Sequence, residues 1–306
     1  MIREGIAGTF IMLAVFVAGC ASGTYSAQAK SPPANPEEFS SLYLAVKIAD
    51  TSDERVRVVA QILSSHMAYD EQIWLFLMML KPGMSASELP FILPGGNWTR
   101  HEFGPPPCVD EQTYDFDYGI HVFFGGGDNI IQSVSVTLSK DRSSPGGIVP
   151  PWWFDESSKE DRMAAAQRNL NAVPAPGPPK PKPDNRDTAL FCSLYRTALA
   201  ARTLDERKAI ASKVRESTLI HPEKAWLLFT LISPGMARST VDELSGTPSS
   251  AKPSNQGRLY GGSILVTPKD PGSRQVESVT LSLMHTLDTE SGASATVPGF
   301  QVWELP

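Results

Sequence analysis

Two stretches of this chain carry the same pattern of apolar and polar positions. Residues 51–84 and 203–236 align without a gap at an offset of 152 residues, and both stretches end in Pro-Gly-Met. Roughly a third of the positions from Ser41 to Met84 are identical in the second stretch, which chance would rarely produce without gaps. The pattern therefore predicts two copies of one folding unit in tandem.

Apolar positions at helical spacing predict three helices at the start of each copy. The second helix opens with Thr51-Ser52-Asp53-Glu54 in one copy and with Thr203-Leu204-Asp205-Glu206 in the other. Both follow the capping-box pattern, in which the threonine hydroxyl accepts from a backbone amide and the glutamate reaches back. The third helix is apolar on nearly all sides, so we expect it to be buried, with Trp74 and Trp226 in the core.

The apolar period changes from about 3.6 to 2 after the Pro-Gly-Met of each copy. Residues 116–124 and 131–138 then predict two strands joined by a turn at residues 125–129. Residues 260–266 and 276–283 give the same pattern in the second copy. Helices followed by a small antiparallel sheet of about three strands define an α+β unit. The predicted fold is therefore two tandem α+β repeats.

The predicted domain boundaries follow from these copies and from local composition. Residues 1–20 indicate an export signal, and residues 21–38 form a small, polar tether interrupted by prolines. The repeat domains are predicted at residues 39–154 and 188–306. Residues 155–187 are charged at first and proline-rich afterwards, and a proline-rich run is extended and forms no core. We therefore expect a spacer between two domains, each with its own core.

The first residues resemble the signal of a bacterial lipoprotein. An apolar run too short to span a bilayer comfortably ends in Val17-Ala18-Gly19-Cys20. This end resembles the lipobox, which implies cleavage before Cys20, a diacylglyceryl thioether on its sulfur and an acylated amine. Several acyl chains, at roughly 0.8 kcal/mol per buried methylene, make such an anchor to the membrane effectively permanent. Ala21, rather than Asp, implies by the same resemblance the outer membrane, with the protein facing the periplasm. An ordinary secretory signal cleaved near Ala27-Gln28-Ala29 is the alternative.

The net charge and its distribution limit the classes of molecule that we expect the protein to bind. The formal net charge is −6 and the pI is about 5.5. No cluster of Lys or Arg forms a basic face, so we expect no nucleic-acid partner and no binding to anionic lipid.

Export changes the interpretation of the remaining cysteines. Cys108 and Cys192 would lie in an oxidising compartment, where disulfides persist. A Cys108–Cys192 bridge would link the two copies, and the alternative is two separate thiols.

The sequence gives little support to a catalytic function or a metal site. Catalysis needs acid, base or nucleophile groups gathered in a pocket, and the five histidines occupy no equivalent positions in the two copies. We therefore predict no catalytic residues, no cofactor and no metal. The best metal candidate is Asp115, Asp117 and His121, which alternation on a strand would place on one face. A solvated face of an edge strand is the more usual origin of such a set.

Aromatic residues in irregular chain are the best candidates for binding. Trp98, Trp152 and Trp153 stand beside Gly and Pro, where burial is less assured than inside a helix. We predict that they contact a partner; packing against the sheet is the alternative.

The segment after each Gly-Met resembles the small outer-membrane assembly lipoproteins of the SmpA/OmlA type, in which Gly-Met opens a short helix ending in Leu-Gly-x-Pro before a three-stranded sheet. The matching positions of the second copy are Gly235, Met236, Val241, Leu244, Gly246 and Pro248. The first copy matches more loosely, at Gly83, Met84, Leu89, Leu93 and Gly95. The long helices before each Gly-Met depart from that family.

A tandem helix-and-sheet arrangement is also similar to the β-lactamase-inhibitor protein. Both resemblances imply a protein that binds another protein and does no chemistry. We therefore expect a non-catalytic binding or scaffolding module whose partner is another envelope protein. The alternatives are an inhibitor-like binder of an envelope enzyme and an uncharacterised envelope enzyme.

The lipid anchor makes a direct prediction. Replacing the acylated residue, Cys20→Ser, should release the protein from the membrane fraction, because no other stretch of the chain is long and apolar enough to hold it there. Fractionation of cells by centrifugation, with circular dichroism of the released protein, tests the expectation that the fold is unchanged. Retention of the variant in the membrane fraction would show that the anchor is assigned wrongly.

Overall fold

The computed structural model describes residues 35–81, 83–95, 98–103, 111–116, 120–124, 130–144, 147–149, 155–176, 186–248, 257–261, 263–268, 270, 273–287 and 294–298. This part of the chain contains nine α-helices and eight strands, so the predicted α+β class is confirmed. We call residues 35–176 the first half and residues 186–298 the second half.

The first three helices of the two halves follow in the same order, and the last helix of the first half has no described counterpart in the second half. Those of the first half are α1 (Pro36–Ile48), α2 (Ser52–Ser64), α3 (Tyr69–Met79), α4 (Leu89–Ile92), preceded by a 3₁₀ turn (Ala86–Glu88), and α5 (Glu156–Ala172). Those of the second half are α6 (Arg186–Ala200), α7 (Leu204–Glu216), α8 (His221–Leu231) and α9 (Arg238–Ser245). Both predicted capping boxes are present, at Thr51 with Glu54 and at Thr203 with Glu206. Helices α7 and α8 begin and end 152 residues after α2 and α3.

All described strands join one antiparallel sheet. The strands are β1 (Trp98–Phe103), β2 (Glu111–Phe116), β3 (Ile120–Phe124), β4 (Ile131–Asp141), β5 (Arg258–Tyr260), β6 (Ile264–Pro268), β7 (Val276–Leu287) and β8 (Ser294–Pro298). Their order is β1-β2-β3-β4-β7-β6-β5, and β8 pairs with the C-terminal part of β7. The prediction of a separate sheet of about three strands in each copy is wrong. Each small sheet would have left a row of unpaired backbone groups on β4 or β7, and pairing these two edges satisfies both.

The ladder between β4 and β7 has the register of a twofold-symmetric pair. Ile131 of β4 exchanges two backbone hydrogen bonds with the Gly-Met pair of its half, and Val276 of β7 does the same in the other half. Counting along the strands from these two residues makes Thr137 the equivalent of Ser282. Thr137 and Ser282 are also directly opposite each other in the ladder. The two strands therefore pair at matching positions, counted from the Gly-Met contact of each half.

The predicted strands at 116–124 and 260–266 are each interrupted by a chain reversal. Phe116 of β2 lies directly opposite Ile120 of β3, and Tyr260 of β5 lies opposite Ile264 of β6. Cross-strand partners share a face of the sheet, so apolar alternation continues through a tight reversal and does not reveal it. Gly261, with a φ of 55°, supplies the left-handed conformation at the second reversal.

The buried apolar residues form one core rather than two. A single cluster includes Phe39 and Trp74 of the first half together with Phe191 and Trp226 of the second. The expectation of a separate core in each domain is therefore wrong, although the prediction that both tryptophans are buried is confirmed. Each half presents an aromatic surface that only the other half covers.

Helix α5 is the main difference between the halves, and it lies where a spacer was predicted. It packs along α2, and the two helices border a groove of about 510 Å³ lined by residues such as Arg57, Ala60 and Ala166. The buried Val56 of α2 corresponds to Lys208 of α7, and Ala60 corresponds to the polar Ser212. Lys208 forms an ion pair with Glu243. The matching face of α7 is thus polar where that of α2 is apolar. The rest of the predicted spacer, residues 177–185, lies outside the described residues.

The packing of α5 predicts unequal effects of two similar substitutions. Gly95 and Gly246 both have a positive φ, of 71° and 85°. A Cβ atom on Gly95 would lie 2.9 Å from the Cα of Arg162 in α5, whereas one on Gly246 would meet nothing within 4 Å. Gly246→Ala should therefore lower the free energy of unfolding by about 1–3 kcal/mol from backbone strain alone, because its φ of 85° and ψ of −166° lie in a region essentially restricted to glycine. Gly95→Ala should lower it by a further 1–3 kcal/mol, roughly, because α5 must move. Urea denaturation measures both, and equal losses would contradict the contact.

Candidate binding surface and the seam behind it

Six aromatic rings join the two halves, and we call them the seam: Phe39, Tyr43, Trp74, Phe191, Tyr195 and Trp226. The two indoles stack at the centre with ring centroids 5.4 Å apart. Phe39 lies 4.4 Å from Tyr195, and Tyr43 lies 4.6 Å from Phe191, measured between ring centroids. Since Phe39 corresponds to Phe191 and Tyr43 to Tyr195, the two contacts are equivalent. Such ring pairs add directional packing to the burial of apolar area.

Two buried glutamates accept hydrogen bonds from tyrosine hydroxyls of the opposite half. Tyr43 donates to Glu223, and Tyr195 donates to Glu71. The second oxygen of Glu71 accepts from the backbone N–H of Ala68 at 2.8 Å, and that of Glu223 accepts from Ile220 at 3.2 Å. Each glutamate is 2% exposed and sits in the first turn of α3 or α8, where the helix dipole favours negative charge. The halves therefore exchange one hydrogen bond each way across the seam.

The environments of these two glutamates differ in charge. Lys47 Nζ lies 3.4 Å from Glu223, while the position equivalent to Lys47 beside Glu71 is Leu199. Burial raises the pKa of Glu71 to about 7, although its hydrogen bonds with Tyr195 and Ala68 act in the opposite direction. Burial and the adjacent Glu223 raise the pKa of Tyr43 well above its usual range, so this hydroxyl remains a donor. The first half thus holds a buried carboxyl group that titrates near neutral pH.

Asp70, which precedes Glu71, and the buried Lys140 each affect the pKa of the other. Burial raises the pKa of Asp70 to about 6, and Lys140 opposes the rise. Burial lowers the pKa of Lys140 to about 7, and Asp70 opposes that shift. Lys140 donates to the carbonyl oxygen of Phe229, and its Nζ lies 4.3 Å from the centre of the Phe229 ring.

Hydroxyl groups dominate the centre of the sheet face that points away from the helices. Helices α3 and α8 pack against the other face, where Val134, Val136 and Leu138 are buried. The alternating positions define what we call the hydroxyl face: Ser135, Thr137 and Ser139 of β4 with Thr280 and Ser282 of β7. Thr137 is exposed at its centre, and the Ser139 and Thr280 hydroxyl oxygens are 2.9 Å apart. Both halves contribute to this surface, in which Ser282 is buried, Met284 lies opposite Ser135, and Asp141 follows at the end of β4.

The predicted site residues fall in different places. Trp98 is the first residue of β1, and the register pairs it with Phe116 of β2, which in turn pairs with Ile120 of β3. Trp152 and Trp153, the other predicted binding residues, lie outside the described residues, as does Cys20. The tryptophan binding site therefore stays a prediction.

The predicted disulfide and metal sets are each described only in part. Cys192 is a free, buried thiol on α6, and burial raises its pKa; Cys108 lies outside the described residues. Asp115 lies directly opposite His121 in the β2–β3 ladder, while Asp117 lies outside the described residues. Among the side chains that the structure describes, no group of three potential metal ligands occurs. The side chains of β1 and β2 are not among them.

The tyrosine–glutamate pairs were missed by sequence reasoning, although the sequence carries a signal for them. Tyr43 and Glu71 recur unchanged as Tyr195 and Glu223. A glutamate kept in both copies beside an apolar helix is a candidate for a buried carboxylate that needs a donor. The sequence pattern does not show that the tyrosine donor for each glutamate comes from the other copy.

Within the described part of the chain, no helix combines the length and apolar character that crossing a membrane requires. Comparison of the chain with protein families, curated proteins and solved structures gave no match.

The raised pKa of Glu71 predicts a pH-dependent stability. The folded state keeps a proton between about pH 4.5 and 7 that the unfolded chain releases, so the free energy of unfolding should fall as pH rises through this range. A shift of this size corresponds to about 3 kcal/mol at most. Glu71→Gln should reduce the fall and remove most of it above pH 6, since an amide can still accept from Ala68 and can donate to the Tyr195 oxygen. Asp70, whose pKa burial raises to about 6, should keep a part of the fall below that pH.

Urea denaturation at pH 5 and pH 7.5 measures this effect. Glu223→Gln is the matched control, because Glu223 has Lys47 beside it, and it should leave the fall in place. An unchanged fall in Glu71→Gln, or its loss in the control, would contradict the assignment to Glu71.

Proposed function

We propose that this protein is a lipid-anchored binding or scaffolding module of the bacterial cell envelope, facing the periplasm from the outer membrane, and that its partner is another envelope protein. The observation that carries the proposal is the hydroxyl face, a surface built jointly by β4 and β7. We also propose that the two halves arose by duplication of one α+β unit. The offset of 152 residues between α2 and α7, and between α3 and α8, supports that origin.

The anchor and the tether fit a module that works at a distance from the membrane. Residues 21–34 stand between the acylated Cys20 and the N-cap of α1, Asn35. At about 3.3 Å per residue, a fully extended tether of this length reaches roughly 50 Å. A partner in the periplasm or in the membrane itself is within that reach.

The shape of the sheet favours a protein partner over a small molecule. Strands lie about 4.8 Å apart, so a sheet of eight strands offers a platform roughly 30 Å wide. A protein interface of standard size covers about 800 Å² on each partner. The short hydroxyl side chains at the centre lower the cost of binding, because no long side chain is immobilised there and no charge is removed from water. Trp152 and Trp153, which follow the first half's strands in sequence, are the proposed aromatic anchors.

An inhibitor-like binder of an envelope enzyme is the alternative on the same surface. A sheet surface can serve an inhibitor or a scaffold, because buried area does not determine what binding does to the partner. The two functions differ in whether the captured protein loses an enzymatic activity.

Capture from detergent-solubilised envelope tests the surface. Thr137→Arg should reduce capture of a specific partner more than about tenfold, since it puts an unpaired charge in the middle of the contact. Ala209→Arg adds the same charge at an exposed position of α7 and should leave capture unchanged. Trp152→Ala with Trp153→Ala should weaken capture of the same protein. Equal capture by wild type and Thr137→Arg would refute the hydroxyl face as the binding site.

A further inference from the structure

Three arginines lie close together where β4 ends and β7 begins, and we call them the arginine cluster: Arg142, Arg238 and Arg274. Arg142 follows the last residue of β4, and its guanidinium group donates to the side-chain oxygen of Gln275. Arg274 precedes Gln275, and its carbonyl oxygen accepts from the backbone N–H of Arg238 at 2.8 Å. Because the three arginines are far apart in the sequence, only the pairing of β4 with β7 reveals the cluster.

Only one of these three charges has a counter-ion within the described part of the chain. Arg142 Nε lies 3.6 Å from a carboxylate oxygen of Glu277, and both side chains are partly exposed. The described ion pairs include neither Arg238 nor Arg274. Arg274 is exposed, whereas the Nε atom of Arg238 is buried without a hydrogen-bond acceptor among the described residues. Because a buried donor without an acceptor is unfavourable and like charges repel, an anion bound here would stabilise the cluster.

The first half has the same backbone bridge but no arginine beside it. The two bridges are Ala237–Gln275 and Ser85–Ile130. The residues equivalent to the arginine cluster are uncharged: Ala86 for Arg238, Asn129 for Arg274 and Leu287 for Arg142. Since the bridge forms without them, the arginines are not required for the fold.

We propose that the arginine cluster binds one phosphate group, either free or as a monoester. Each guanidinium group presents its N–H donors in a fixed fork that suits the oxygens of phosphate. A phosphate monoester carries a charge of about −1.5 to −2 at pH 7, which matches the two arginines without a counter-ion. A carboxylate carries a single charge and would leave one of these two arginines unpaired.

The phosphate site goes beyond the proposed protein partner and does not depend on it. The cluster lies at one end of the hydroxyl face, where Asp141 of β4 is opposite Ser278 of β7. A free phosphate ion and the phosphomonoester of a lipid headgroup share the same chemistry, and basic sites of this kind bind headgroups. Failure to bind phosphate would leave the hydroxyl face unaffected as a protein-binding surface, and loss of protein capture would leave the phosphate site unaffected.

Phosphate titration of the full-length chain in detergent solution tests the site. Two-dimensional ¹H–¹⁵N NMR should show saturable shifts of the backbone amides at residues 237–240 and 274–277 when sodium phosphate is added. Sodium chloride at the same ionic strength should not produce these shifts, because screening by salt does not saturate a site. Titration with glycerol 3-phosphate distinguishes the two sources. Tighter binding than that of phosphate assigns a lipid headgroup, and weaker binding assigns the free ion.

The first half supplies a variant that is expected to fold. Arg238→Ala with Arg274→Asn copies the residues at the equivalent positions, so it should retain the wild-type circular dichroism spectrum and bind phosphate more than about tenfold more weakly. Arg274→Asn alone changes only an exposed side chain and should weaken binding severalfold, so the test does not depend on the fold of the double variant.

The matched control removes two exposed positive charges from another part of the second half. Arg202→Ala with Lys213→Ala has the same net charge as the double variant of the cluster, and it should bind phosphate as the wild type does. Absence of saturable shifts in the wild type with either compound would overturn the site. Equal binding by the two double variants would overturn it as well.

Discussion

The reciprocal exchange of tyrosine hydroxyls across the seam is the interaction on which the rest of the fold depends. Glu71 and Glu223 are almost fully buried, and a buried carboxylate is strongly unfavourable unless its oxygens are hydrogen-bonded. Each glutamate completes its bonding only when the other half is docked, because the donor hydroxyl is on that half. This requirement fixes the distance and orientation of the two halves. It also holds β4 and β7 in the register that makes the hydroxyl face continuous.

The two halves share a scaffold but differ in what they place on it. The first half carries α5 over an apolar stretch of α2, a buried carboxyl group without the lysine that accompanies its counterpart, and an aspartate opposite a histidine in the sheet. The second half has a polar α7, a Glu223 that contacts Lys47 of the first half, and a pair of leucines in the sheet. The ring contacts and the tyrosine–glutamate bonds of the seam are symmetric, with the lysine beside Glu223 as an exception. The differences in α5, in α7 and in the sheet lie away from the seam.

Local signals predicted the helices well, and the sheet only in part. Capping boxes and apolar spacing act within a few residues, so Thr51 and Thr203 marked helix starts correctly. Strands β4 and β7 are far apart in sequence, and neither contains a residue type that predicts their pairing. Reversals at Phe116 and Tyr260 were missed because alternation persists through them. Among the candidate residues, alternation placed Asp115 and His121 on one face, and the register pairs them directly across the β2–β3 ladder.

The shared sheet also affects how the protein can be made. Strand β4 ends at Asp141 and its neighbour β7 begins at Val276, so synthesis of the first half finishes long before its partner strand exists. At roughly 5–20 residues per second, the ribosome leaves this edge and the aromatic surface beside it uncovered for about ten to thirty seconds. A nascent first half therefore exposes apolar surface and an unpaired strand edge, both of which favour aggregation, until its partner strand is made. Export before folding, which the proposed signal would bring about, would let both edges meet at once.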